Sequence, residues 1–73
     1  MALGRQIKAE RSAAGLTLEE LSARIGVHKN TLHNYEKGER EMTYGVLAAL
    51  AHEFGLDSIW ALVRAAEERA DRE

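Results

Sequence analysis

Lys29, Asn30, His33 and Asn34 place four hydrogen-bonding side chains on one side of a short segment, and Val27, Leu32 and Tyr35 set its other side. Side chains of these types recognise by donating and accepting; they do not make or break bonds. A lysine donates to O6 and N7 of guanine, and an asparagine amide bridges N6 and N7 of adenine. The chain offers no paired nucleophile and base, no cluster of metal ligands and no glycine loop shaped for phosphate. No catalytic residue, metal or cofactor is therefore expected. His28 and His33 lie five apart, share no helical face well and have no convincing third ligand. His52 reads as an exposed polar residue.

The elements that must hold these side chains lie in residues 17–38, TLEELSARIGVHKNTLHNYEKG. Thr17 with Glu20 three residues later is a capping box, which starts a helix. Leu18, Leu21 and Ile25 then repeat at helical spacing. Gly26 interrupts them where a sharp turn needs a backbone conformation that most residues resist. Ser22 is small enough for two helices to approach there, and its hydroxyl can return to a carbonyl of its own helix. A second helix opens at His28. Two short helices at a steep angle, the second with an amide-rich outer face, form a helix-turn-helix, whose second helix presents its N-terminal half to base edges in the major groove.

At these residues the chain resembles the Cro/Xre-type, lambda-repressor-like helix-turn-helix regulators. Leu21-Ser22, Gly26-Val27, Thr31-Leu32 and Tyr35-Glu36-Lys37-Gly38 stand at that family's spacings. The run 7–11, Gly15-Leu16-Thr17, Leu47, Leu50-Ala51 and Phe54-Gly55-Leu56 extend the match over residues 3–62. The resemblance implies an all-α, compact five-helix domain in which helices 2 and 3 form the motif. It also implies base reading by Lys29, Asn30 and Asn34, and a phosphate contact from His28. Thr17, at a helix N-terminus, suits a phosphate by geometry and dipole. Lys37, the Gly38 amide, Arg40 and Thr43 can supply the other flank. Arg11 lies on or beside the apolar stripe of the first helix and needs a partner; Glu36 is the obvious one, and relatives commonly pair these positions. Three departures stand out: Leu18 where many relatives carry a phosphate-reaching glutamine, Ser22 where many carry alanine, and Met42 where many carry proline.

Helices are expected at about 3–14, 17–25, 28–35, 43–54 and 58–69, in one domain spanning 1–73. Leu3, Ile7 and Ala14 share a face of the first helix, which Gly15 ends. Thr43 caps the fourth, which buries Val46, Leu47, Leu50, Ala51 and Phe54 and stops at Gly55. Asp57 or Ser58 caps the fifth, apolar at Ile59, Leu62, Val63 and Ala66, and the charged run 67–73 is expected to fray. Trp60 falls off that stripe beside Ala61 and Arg64. It reads as the anchor of a dimer interface or, alternatively, as cover for the core edge.

Net charge is −2, and its distribution is uneven. Residues 1–40 carry seven Lys/Arg against five Glu, and residues 41–73 carry three Arg against seven acids. Affinity for DNA follows local neutralisation of phosphate, so the basic half suffices for modest binding by one copy and favours two. No cysteine is present, no apolar run approaches transmembrane length, and the N-terminus lacks a signal-peptide apolar segment, so a cytoplasmic protein is expected. The leading expectation is a homodimeric, sequence-specific regulator of a palindromic double-stranded DNA operator. A phage-type repressor, a restriction–modification controller and an antitoxin all fit this plan, as does the N-terminal part of a longer repressor. A toxin, an antirepressor or RNA polymerase is conceivable as a protein partner. The alternative is a protein-interaction module that keeps the fold without binding DNA.

Overall fold

The computed structural model describes residues 3–72. Among them are five helices and no strand: α1 (Leu3–Ala13), α2 (Leu18–Ile25), α3 (Lys29–Lys37), α4 (Tyr44–Glu53) and α5 (Ile59–Arg72). Each of the four later helices opens on a side-chain cap. Thr17 Oγ1 accepts from Glu20 N at 3.1 Å while Glu20 Oε1 accepts from Thr17 N at 2.9 Å, completing the capping box of α2. His28 Nδ1 accepts from Asn30 N (3.1 Å), Thr43 Oγ1 from Val46 N (3.2 Å) and Ser58 Oγ from Ala61 N (3.4 Å). Each supplies an acceptor to an amide that has no carbonyl partner within its helix.

Every helix contributes one large, fully buried aliphatic side chain to a common core: Ile7, Leu21, Leu32, Leu50 and Leu62. Tyr35 joins them at 4% exposure, and Leu18, Val27, Met42 and Phe54 are among the half-buried side chains packed around them. Each full burial is worth about 1.5–3 kcal/mol of transfer free energy. α1 packs against α3 and α5, α2 against α3 and α4, and α4 against α5.

Three features differ from the sequence reading. First, α3 continues through Lys37, because Gly38 at φ +75° closes it with Gly38 N donating to Tyr35 O and Glu39 N to Asn34 O. This is a Schellman termination. Second, the charged end of α5 is helical through Arg72, and only Glu73 of the run expected to fray lies outside the described residues. Ala66 is fully buried there, and Arg69 Nε donates to Gln6 Oε1 at 2.7 Å, tying α5 to α1. Third, Ala14 is exposed past the end of α1, and Gln6 takes a buried place on that helix instead. No described helix is long and apolar enough to cross a membrane.

Candidate nucleic-acid interface

The outer face of α3 is aimed by a buried ion pair in its last turn. Arg11 Nε donates to Glu36 Oε2 at 2.7 Å and Nη2 to Oε1 at 3.1 Å, a two-pronged pairing with side-chain exposures of only 14% and 3%. The remaining prong, Nη1, donates to Leu16 O at 3.0 Å, in the segment that leads into α2. One guanidinium on α1 therefore fixes the last turn of α3 and the start of α2 together. The hydrogen bonds to Glu36, more than the charge attraction, raise the Arg11 pKa against the opposing effect of burial, so the cation is held firmly. Gly4 makes this approach possible. A Cβ there would lie 2.5 Å from Tyr35 O and 2.6 Å from Glu36 O, both backbone atoms.

Toward the N-terminal end of α3, Lys29, Asn30 and His33 are exposed and Asn34 is half-buried. Lys29, Asn30 and Asn34 thus lie together on the first turn and a half, as a base-reading face requires. Lys29 is not unaccompanied: its Nζ lies 3.3 Å from Glu19 Oε1 on α2. The flanks are partly committed as well. Thr17 N already donates to Glu20 Oε1, and the Thr17 hydroxyl oxygen accepts from Glu20 N. His28 uses Nδ1 as the acceptor that caps α3, so its hydrogen sits on Nε2, where it can reach a phosphate. Lys37 pairs with Glu39 at 3.4 Å, whereas Arg40 is exposed with no ion pair among the described residues. Thr43 Oγ1 caps α4 and retains its hydroxyl hydrogen. The Gly38 amide is a correction to the expectation. It donates to the Asn34 and Tyr35 carbonyls that end α3, and so it is not available to a phosphate.

The family model described as a helix-turn-helix domain matches residues 2–59. The chain belongs to the helix-turn-helix domain family. Its fold places it with the lambda-repressor-like type, as two solved structures show. The clp gene regulator ClgR from Corynebacterium glutamicum matches at a TM-score of 0.77 and 29% identity, over 97% of this chain and 84% of that one. A structure of the SinR–SinI protein complex matches at 0.75 and 26% identity, over 82% of this chain and 58% of that one. A curated relative from Pyrobaculum aerophilum, inferred to be an HTH-type transcriptional regulatory protein, is 37% identical over 54 residues. That stretch is 74% of this chain but 22% of the relative, so the chain spans about a fifth of that protein's length. These relatives are regulators, not enzymes.

Away from α3, this helix-turn-helix domain leaves two large apolar side chains in solvent, Tyr44 at 79% and Trp60 at 62% exposure. Trp60, Ala61 and Arg64 line one recess with Asp57 and Ser58, while Tyr44 and Ile59 line another that shares the same two residues. The two recesses thus adjoin at the α4–α5 turn. Sequence reasoning missed Gly4, Glu19 and Tyr44. Gly4 lacks a turn signal because its role is a close approach to another helix. Glu19 stands ten residues from Lys29 and is joined to it only by the α2–α3 crossing.

Proposed function

We propose that this domain reads a pseudopalindromic operator as part of a sequence-specific transcriptional regulator, with α3 of each copy of a homodimer in one major-groove half-site. The outer face of α3 carries this reading: Lys29, Asn30 and Asn34 side by side, on a helix locked at its last turn by Arg11 and Glu36. Their donors and acceptors match the edges of guanine and adenine. Thr17, His28, Arg40 and Thr43 form the phosphate-facing flank, with Lys37 available once it leaves Glu39. The second copy docks through Trp60, Ala61 and Arg64, a surface with a bulky anchor and charges of both signs that can pair across a two-fold axis.

Selection of bound fragments from a random duplex pool tests the reading. A two-fold symmetric motif with half-sites about ten base pairs apart is the expected result. No enrichment at low salt would overturn it. Trp60→Ala should raise the monomer–dimer dissociation constant, read by sedimentation; an unchanged constant would remove Trp60 from the interface.

A second reading, a protein-interaction module, draws support from the acidic total charge and from the glutamates beside Lys29 and Lys37. The SinR structure, solved as a complex with SinI, is a relative bound to a protein. Salt separates the two readings. Phosphate binding weakens steeply as salt rises, and an apolar protein contact does not. Phage-type repressor, restriction–modification controller and antitoxin remain the subtypes that fit, and the selected operator would direct the choice by locating the controlled promoter.

A further inference from the structure

Glu19 places a negative charge at a surface meant for a polyanion. Its side chain is 76% exposed and sits at the second position of α2, directly across the helix crossing from the first residue of α3. Thr17, Leu18, Glu19 and Lys29 line one shallow recess there. Leu18 is apolar, and Thr17 is engaged with Glu20. Glu19 is consequently the polar side chain of this recess that holds the Lys29 ammonium, at 3.3 Å.

A lysine ammonium has three donors on a flexible four-carbon stem. Left alone beside DNA it is a point charge, and the nearest phosphate satisfies it as well as a base edge does. With one donor held by Glu19, two remain, which is the number that O6 and N7 of a guanine accept. The same carboxylate repels neighbouring phosphates, so the pair is poorly served by backbone contact alone.

Resting on the reading of α3 as the base-reading helix, we propose that Glu19 is a specificity-determining residue of this interface. It positions the Lys29 ammonium for a guanine edge and penalises attachment to the phosphate backbone. Glu19 need not touch DNA itself; it acts through Lys29.

The test uses the full chain, with Glu19→Met, Lys29→Met and the double variant, each first shown by circular dichroism to be helical with a native-like melting midpoint. Fragments are then selected from the same random duplex pool. Glu19→Met should lose guanine preference at one position of each half-site and retain the rest of the motif. It should also bind random-sequence duplex about fivefold more tightly, the effect of removing about one unit of close charge repulsion in water. Its salt dependence should steepen by about 0.9, one added phosphate contact. Lys29→Met should lose the same guanine preference, and adding Glu19→Met to it should change that preference no further. An unchanged motif with Glu19→Met, or additive effects in the double variant, would overturn the proposal while leaving the regulator reading intact. Failure of the native chain to enrich any motif would overturn both.

Discussion

Two of the ion pairs on α3 share similar chemistry and have opposite surroundings. Arg11–Glu36, the inner pair in its last turn, is short, two-pronged and nearly dry. Lys29–Glu19, the outer pair in its first turn, is single, 3.3 Å long and bathed in solvent. Buried charges that lose a partner cannot be re-solvated cheaply, whereas an exposed pair exchanges its partner for water at almost no cost. The inner pair therefore serves to hold the helix, and the outer pair is free to be rearranged by a ligand. A surface meant to bind has to be made of interactions that can be given up.

Breaking the inner pair should have the largest effect. Glu36→Ala strands the Arg11 cation and should cost about 3–5 kcal/mol of stability in urea unfolding. Replacing both partners by apolar residues of similar volume should cost markedly less, which would separate the stranded charge from the worth of the pair. Gly4→Ala should come next. It drives a methyl into the Tyr35 and Glu36 carbonyls and should cost about 1–3 kcal/mol, because backbone rather than a flexible side chain must move. Little change in the melting midpoint would mean that α1 can slide without loosening Arg11.

Acid sharpens the comparison from a third place. The Thr17 backbone N–H, and then its hydroxyl, hold the Glu20 carboxyl below the usual carboxylate pKa. A lowered pKa contributes stability that is present above the unfolded-state value and is lost as pH falls through the folded-state value. Glu20→Gln, which keeps the cap but cannot titrate, should flatten the acid limb of a stability–pH profile. An identical limb would show that the cap does not depend on charge. Smallest of all, Lys29→Met should change unfolding stability by no more than about 0.5 kcal/mol, since the outer pair is exposed. A loss comparable to that of Glu36→Ala would erase the contrast between the two ends of α3.

Much of the domain can be read along the chain because its signals are local. Thr17 with Glu20, Gly26 and Thr43 declare helix ends within a few residues, and the spacing of Leu18, Leu21 and Ile25 declares a face. Arg11 and Glu36 were legible for another reason: a charge on an apolar stripe demands a partner, and few positions return to that stripe. The end of α3 was misjudged by a turn's fraction, because Gly38 was taken for a loop amide when its left-handed backbone closes the helix. The end of α5 was misjudged because Gln6 and Arg69, far apart in sequence, meet only in the folded chain.

Helix number, the motif and the polar side of α3 were thus determined by the sequence by itself, since capping, periodicity and residue chemistry act over one or two turns. The tertiary structure alone decided which amides remain free, which lysines are already paired, and why residue 4 must be glycine. Those depend on how helices cross, and at a crossing two residues ten or thirty positions apart become neighbours.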